Sequence, residues 1–376
     1  MQIEIKQVQN RSQLKKFIYL PAQIHKNHSN WVPPIYMDEF VFFDKNKNKS
    51  FKYCDTILAL AYRNNQVIGR IMGIIHHKYN KIHNENDARF CFIETYNDFE
   101  VYKALIDYVE NWAKSKKCDN LVGPLGFSDK DPQGFMIEGF DKPVVIASNA
   151  NFEFMPQFIE KLGYSKKIDL VVYNVPVPQQ LPKFYETIYQ RVLSNKKNIK
   201  LIEFKNKIQL RKYIKPVLQL LNDTFEEIYA FTPFEEHEMR DFANRYIMIL
   251  DPEFVKVIEN ENGELIAFII GMPEISEGVK KANGKMLPFG IFKVWKAQKD
   301  TQMLTLLLGG IKSQYRGQGL DVFLGANMLK SAIKRGFKFL DSHLELENNL
   351  AIRSEMERMN GQIYKRFRIF QKNLKN

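Results

Sequence analysis

Apolar and polar positions in the second half of the chain alternate in patterns that specify an ordered series of elements. "IKLIEF" (199–204) alternates with a period of two, the signature of a half-buried strand, and Gln209–Phe225 carries apolar residues at helical spacing. "EFVKVIEN" and "ELIAFIIGM" flank Asn262-Gly263, a dipeptide suited to a two-residue hairpin turn. "TQMLTLLLGGI" reads as a buried strand, Gly319–Arg335 as a helix and "FKFLDSHLEL" as another strand. Asn349–Met359 then reads as a helix and "QIYKRFRIFQ" as a final strand. The predicted order is β, α, hairpin, β, α, β, α, β, a mixed α/β domain.

The first half echoes this order. "NRSQLKKFIYLPAQI" (Asn10–Ile24) matches "NKIQLRKYIKPVLQL" (Asn206–Leu220) at Asn10, Gln13, Leu14, Lys16 and Ile18, each 196 residues before its counterpart. Each copy follows an alternating segment, "IEIKQV" in the first and "IKLIEF" in the second. "QVIGRIMGI" (66–74) returns as "ELIAFIIGM" 198 residues on, and "EKLG" (160–163) returns as "ERMNG" (357–361). Three matches in one order at nearly constant offset predict two copies of one fold. The seam falls where Pro176, Pro178 and Pro182 stop regular structure, giving a first domain over 1–178 and a second over 199–376. "KFYETIYQRVLSNKK" makes 179–198 a helical linker.

With 376 residues there is material for two cores, and 45% hydrophobic content with 26% charged residues fits a soluble globular protein. Lys and Arg number 55 against 43 Asp and Glu, a net charge of +12. That excess suits a polyanionic partner (nucleic acid, an anionic membrane or a phosphate-rich cofactor) or simply solvated lysine faces. The densest basic segments are "SNKKNIK" (194–200) and "YKRFRIFQKNLK" (364–375). Three scattered cysteines exclude a disulfide framework and a cysteine-rich metal site, and fit a reducing, cytoplasmic location. No nucleophile or metal arrangement is visible, and no apolar run reaches the roughly 18–20 residues of a membrane span.

Where the buried strand "LTLLLGGI" passes into a helix lies QYRGQG, Gln314 to Gly319. The first N–H groups of a helix lack backbone acceptors and sit at the positive end of its dipole, a ready anion site. Gly317 and Gly319 allow positive φ and close approach of a phosphate, and Arg316 adds a cation. This Gln-x-x-Gly-x-Gly pattern at this point in the strand order resembles the pyrophosphate loop of the GNAT superfamily of acyl-CoA N-acyltransferases. Asn348 and Ala351 resemble that family's Asn-x-x-Ala segment. The resemblance implies an acyl-CoA donor (acetyl-CoA or longer) held by Leu307, Gly309, Ile311, Gln314, Tyr315, Arg316, Gly317, Gln318, Gly319, Leu320 and Asn349.

The matching junction of the first copy, "CFIETYNDFEVYKALIDYV" (91–109), has no glycine and carries Asp98 and Glu100, which repel a pyrophosphate. The chain therefore resembles tandem-GNAT enzymes in which the N-terminal copy is degenerate and one cofactor site works. The first copy keeps a long loop, "GPLGFSDKDPQGFMIEGFDKP" (123–143), rich in glycine and proline, expected against the second domain where it lines the acceptor site. Phe127, Ser128, Asp129 and Glu138 are its candidate substrate contacts. "NDTFEEIYAFTPFEEHEM" (222–239) adds Phe225, Tyr229, Phe231 and Phe234, as pocket wall or as core. "GKMLPFGIFKVWKAQK" (284–299) mixes Leu287, Phe289, Phe292 and Trp295 with lysines, which suits an anionic lipid surface, a partner, or a covered loop.

The GPxxF loop, the LPFG segment and QYRGQG together look like the group of tandem-GNAT bacterial proteins that includes ceramide synthase-type enzymes. That implies a long acyl group moved to a lipid amine, peripheral contact with the inner face of a membrane, and no DNA partner. Fem-type aminoacyl transfer from tRNA and a non-catalytic acyl-CoA-binding role are the alternatives. For direct transfer the amine must lose a proton, and strand alternation places Asp341, His343, Glu345 and Glu347 on one face. Glu347 and Glu345 lead as bases and His343 follows, with Glu235, Glu236 and Glu274 as alternatives. Many GNAT enzymes protonate the leaving thiolate with a Tyr seven residues after the Asn. Here Glu355 stands there, and Tyr364 is the candidate substitute.

Overall fold

The computed structural model describes residues 2–145, 148–195, 199–236, 238–240 and 247–375. Lys196–Asn198 of the first basic segment and His237 of the 222–239 segment lie outside the described residues. The first half runs β1 (Glu4–Gln7), α1 (Arg11–Ile24), α2 (Tyr36–Phe42), β2 (Cys54–Arg63), β3 (Gln66–His76), α3 (His77–His83), β4 (Asp87–Thr95), α4 (Phe99–Ser115), β5 (Asn120–Gly123), β6 (Phe135–Glu138), α5 (Phe154–Lys161) and β7 (Ser165–Pro176). Helix α6 (Lys183–Asn195) links it to the second half. There follow β8 (Ile199–Glu203), α7 (Lys207–Arg211), α8 (Ile214–Thr224), β9 (Val255–Asn260), β10 (Leu265–Pro273), α9 (Ser276–Lys281), α10 (Gly290–Asp300), β11 (Met303–Ile311), α11 (Leu320–Arg335), β12 (Phe339–Asp341), β13 (Glu345–Leu346), α12 (Leu350–Arg358) and β14 (Gln362–Asn373).

The strands repeat in order, from β1 against β8 to β7 against β14, while the helices between the third and fourth strands differ: α3 in the first half, α9 and α10 in the second. The helices α1 and α7 even start on the same device, Asn10 and Asn206 each accepting the N–H of the residue three positions on at 3.0 Å. The predicted Gln209–Phe225 helix is split in two. Pro216 lies in the first turn of α8, where its missing N–H costs nothing, whereas a continuous helix would set its ring against the Lys212 carbonyl.

The halves are not separable along the chain. The fourteen strands of the described residues form one sheet, ordered β1-β2-β3-β4-β5-β14-β7-β12-β11-β10-β9-β8, with β6 on β14 and β13 on β7. Each half is thus closed by the last strand of the other. In β14, Phe370–Asn373 pairs with Asn120–Gly123 of β5, while in β7 Asn174–Pro176 pairs with Phe339–Asp341 of β12. The sequence boundary at 178 marks the end of a copy but not the end of a folding unit. Sequence repeats reveal which strands are equivalent and are silent about which sheet each joins.

Burial explains why the exchange holds. In β7, Val171, Tyr173 and Val175 enter one apolar cluster with Leu304, Met328 and Leu340, while Leu170 and Val172 enter another with Phe367 and Ile369. A strand covered on both faces reads as a continuous apolar run, as "IDLVVYNV" does. Phe367, Ile369 and Phe370 of β14 are 0%, 0% and 1% exposed, each worth about 1.5–3 kcal/mol of transfer free energy.

In each half the fourth and fifth strands are parallel only briefly. β4 pairs with β5 over Asp87–Arg89, and β11 with β12 over Met303–Thr305. Beyond those three positions the strands part. A bulge in the preceding hairpin pairing, at Arg70/Met72 and at Ile270/Gly271, bends each fourth strand near its fork. These two forks carry the functional contrast.

Candidate functional site

In the second half β11 ends at Ile311 and α11 begins at Leu320. Gly317 and Gly319 between them adopt φ of 70° and 78°, the left-handed region that residues with a Cβ avoid. Gly319 is the residue before the helix and no side chain among the described residues caps it, so the first-turn N–H groups of α11 are left to a ligand. The two glycines serve different ends. A Cβ on Gly317 would meet nothing within 4 Å, so this one faces open space, whereas a Cβ on Gly319 would come within 3.2 Å of Ile188 on α6. The loop is braced from inside: Arg316 Nε donates to the Ile311 carbonyl at 3.2 Å and Gln318 Nε2 to the Gln314 carbonyl at 2.9 Å. Tyr315 accepts at its hydroxyl from Asn260 at 3.3 Å, and Leu320 is buried in the core. The predicted contacts Gln314, Arg316, Gly317 and Gln318 are brought together here, while Gly319 and Leu320 position the loop.

Upstream, β11 pairs with β10 on one edge as far as Ile311 and, among the described residues, has no strand partner on the other edge after Thr305. The register steps over Leu307, the bulged residue. The alternate residues Gly309 and Ile311, whose backbone groups point away from β10, therefore present N–H and C=O groups into the fork, and such N–H groups are suited to stabilise negative charge on an oxygen. Leu307, Gly309 and Ile311, all predicted contacts, lie on this edge. Asn349 does not: it caps α12, accepting from the Ile352 N–H at 3.5 Å.

At the apex of the fork sits a buried ionisable group. Asp341 and Lys365 are 0% and 1% exposed, with Nζ 3.8 Å from Oδ2. The Tyr364 hydroxyl donates to the same Oδ2, and the His343 N–H donates to Oδ1 at 2.7 Å. Burial pushes the Tyr364 hydroxyl up, helped by the Asp341 charge; it also lowers the Lys365 amine, against the pull of Asp341 and Glu274. Glu274, at the end of β10, joins the group: burial raises its carboxyl, opposed by hydrogen bonds from the Ser276 hydroxyl and N–H. Thr305, paired with Asp341 across the strands, has a buried hydroxyl with no partner among the described residues.

The one-face expectation for Asp341, His343, Glu345 and Glu347 is corrected. His343 has a φ of 57° and turns the chain, so the strand breaks into β12 and β13. Asp341 lies opposite Asn174 and Glu345 opposite Val171, three positions apart on β7 and therefore on opposite faces. Asp341 faces the side walled by the first half. Glu345 faces α11 and α12, as Val171 does, and has neither hydrogen bond nor ion pair among the described residues, so burial alone pushes its carboxyl up to about 8. Glu347 is committed to structure: Oε2 binds Lys166 at 2.7 Å and Oε1 accepts the Asp169 N–H at 3.0 Å. Glu355 accepts from the buried Tyr185 hydroxyl of α6 and from Arg358 at 2.9 Å, so a tyrosine does reach this position, from the linker helix.

The 123–143 loop docks on the second half as expected. The Asp129 N–H donates to the Ala230 carbonyl at 3.3 Å, and Lys130 Nζ lies 4.2 Å from the Phe231 ring centroid and 3.3 Å from the Thr232 carbonyl. The candidate substrate contacts are engaged with their own neighbours in several cases. Phe127 is core of the first half, packed on Phe42 and Phe51, and Phe231 is core of the second. Asp129 is paired with Lys130 at 2.8 Å, and Ser128 Oγ accepts from the Lys130 N–H at 3.3 Å. Glu138 pairs with Arg366 at 3.2 Å on the sheet surface. Tyr229 lies between the halves, near Tyr79 and Arg89. Phe289 is 71% exposed and lines no enclosed wall. Val32 and Ile35 of the first half, which sequence reasoning missed, pack with Met272, Ile275 and Leu307 beside the fork. Their signal was only an apolar run in a loop.

The first-half fork is closed by its own chain. The Leu125 N–H donates to the Phe90 carbonyl at 2.9 Å, and buried Arg89 donates to the carbonyls of Gly126 and Phe127 at 3.0 and 2.9 Å. Its helix end is closed as well. Asp98 caps α4 by accepting the Val101 N–H at 3.2 Å and pairs with Arg63 at 2.7 Å. Burial alone would raise the Asp98 carboxyl, but Arg63 and the helix N–H groups outweigh it and hold it below the ordinary range.

Two consecutive units with this strand order, a forked fourth and fifth strand, and an uncapped glycine loop in one of them define a tandem protein of the GNAT fold. Among solved structures, the tandem GNAT protein from the clavulanic acid biosynthesis pathway matches with a TM-score of 0.57 at 11% identity, over 100% of this chain and 99% of that one. A GCN5-related N-acetyltransferase from Sphaerobacter thermophilus matches with a TM-score of 0.53 at 10% identity, over 100% and 96%. In sequence, the bacterial ceramide synthase of Caulobacter vibrioides is 25% identical over 374 residues, covering 98% of this chain and 96% of its own. Protein YghO of Escherichia coli is 24% identical over 376 residues, covering 97% and 94%. No family model matches the chain.

Proposed function

We propose that this protein is an acyl-CoA-dependent N-acyltransferase whose donor lies in the second-half fork and whose acceptor is a long-chain lipid amine. The observation that carries the reading is the uncapped N-terminus of α11 with Gly317 open to space, a cradle that fits a pyrophosphate and that the first half lacks. The relative from Caulobacter, named a ceramide synthase, supports the acceptor class. Acyl-CoA supplies an activated thioester carbonyl. Gln314–Gly319 and the first turn of α11 hold its phosphates, and the free edge of β11 holds the thioester arm and offers N–H groups to the carbonyl oxygen as charge develops there.

The amine approaches from the face walled by the first half, where Asp341, Tyr364, Lys365 and Glu274 gather. Glu274 takes the proton that the amine gives up, since burial raises its basicity toward that task and the neighbouring Lys365 compensates its charge; as the C–N bond forms the C–S bond breaks, and the CoA thiolate leaves and takes a proton from solvent. Glu345, on the helix face, lies away from the amine and takes no part in proton transfer. Incubating the purified protein with long-chain acyl-CoA and sphinganine, with mass spectrometric readout, tests this: an amide product is expected. Binding of CoA without amide formation from any long-chain amine would leave a carrier and overturn the enzymatic reading.

A further inference from the structure

The α9–α10 hairpin and its lead-in interrupt the repeat between β10 and β11 and carry the largest exposed apolar cluster on the described surface. Leu287, Phe289, Phe292 and Trp295 are 67%, 71%, 58% and 43% exposed within nine residues. Soluble surfaces scatter such side chains singly, so a cluster marks a binding face. The helix itself is two-sided. Gly290, Val294 and Ala297 turn inward against α9, where Gly278 lets the backbones touch: a Cβ there would lie 2.6 Å from Val294 Cα. Phe292, Trp295, Lys296 and Lys299 follow the outward spacing. Phe292 and Trp295 meet edge to face at 5.6 Å, which holds the apolar crest in one shape.

Charge decides what covers this crest. Lys281, Lys285, Lys296 and Lys299 border it and form no ion pair among the described residues, while Lys293 Nζ donates to the Lys281 carbonyl at 2.8 Å. Of the carboxylates nearby, Glu277 pairs with Lys280 at 3.3 Å and Glu274 accepts from Ser276, which leaves Asp300 at the end of α10 as a single carboxylate against these lysines. Apolar side chains ringed by unpaired lysines match the boundary between the headgroups and acyl chains of an anionic bilayer, which accepts both. A second copy of the same surface would bring lysines against lysines. Behind the ring lies a cavity of about 290 Å³, lined by Lys281, Lys293 and Lys296 and by the carboxylates Glu274, Glu277 and Asp300.

We infer that the 284–299 segment docks the protein on an anionic phospholipid surface, with Leu287, Phe289, Phe292 and Trp295 inserted below the headgroups. The cavity then opens toward the membrane and ends at the carboxylate assigned above to the acceptor. Docking itself does not depend on that assignment.

Flotation of the full chain with phosphatidylcholine vesicles, with and without about one third phosphatidylglycerol, tests the inference. Binding is expected only with phosphatidylglycerol, together with a blue shift of Trp295 fluorescence, since Trp31 and Trp112 are partly covered. The triple variant Leu287→Ser/Phe289→Ser/Phe292→Ser should lose at least about tenfold in partitioning, and Lys293→Glu/Lys296→Glu/Lys299→Glu should abolish the lipid preference. Circular dichroism and CoA titration of both variants should match the parent, which keeps a docking failure distinct from misfolding or from a wrong donor assignment. Failure of the parent to bind phosphatidylglycerol vesicles, equal binding by the variants, or a parent dimer that the serine variant turns monomeric would overturn it.

Discussion

The two strand-to-helix junctions, Thr95–Phe99 and Ile311–Leu320, are the same place in two copies of one fold and have opposite chemistry. In the first, Asp98 supplies its own anion to the helix end and Arg63 neutralises it, so nothing is left to bind. In the second, no side chain among the described residues caps the helix, and Gly317 clears the approach. The forks beside them differ in the same sense: one is filled by Leu125–Phe127, the other keeps the free edge of β11. A copy thus becomes scaffold by satisfying internally the groups that its twin leaves available.

The largest effect expected from disturbing this contrast is on turnover. Glu274→Gln should lower kcat about 10²–10⁴-fold while leaving CoA affinity unchanged, read by steady-state kinetics and calorimetry. Because the working form is the carboxylate and burial raises its pKa, the parent rate should fall as pH drops through that raised value, above the ordinary glutamate range. Next, Gly317→Trp should weaken CoA about 10–100-fold, since it puts a side chain with φ of 70° into the open space above the helix end.

A smaller effect separates the faces of the sheet. Glu345, with its carboxyl pushed up to about 8, favours the folded state when protonated. Its contribution is complete below the ordinary pKa of an unfolded glutamate and is lost as pH rises through about 8. Glu345→Gln should flatten that loss, stabilising the protein by about 2 kcal/mol at alkaline pH in urea unfolding, with turnover near that of the parent. Smallest, Asp98→Ala should cost about 1 kcal/mol of stability as a lost cap and leave CoA binding untouched, which calorimetry alongside thermal unfolding reads together.

Much of this was legible in the sequence because period and spacing survive in both copies: the hairpin at Asn262-Gly263, the strand before QYRGQG, and the repeat itself. What was hidden depends on contacts between distant segments. Nothing local says that β14 crosses to β5, and the exchange is what fixes Tyr364 and Lys365 beside Asp341. Alternation failed at His343, where one left-handed residue reverses the face of every side chain after it. The basic run 364–375 read as a polyanion surface, yet Lys365, Arg366, Arg368 and Lys372 are bound to Asp341, Glu138, Asp169 and Glu110. Aromatics such as Phe127 and Phe231 fit core and pocket wall equally until their neighbours are known.

The central claim is that one copy binds and the other scaffolds, and the stoichiometry of CoA binding tests it most directly. Isothermal titration of the full chain should give one CoA per chain, lost in Gly317→Trp and retained in Asp98→Ala. Two equivalents per chain, no binding at all, or unchanged binding in Gly317→Trp would contradict it.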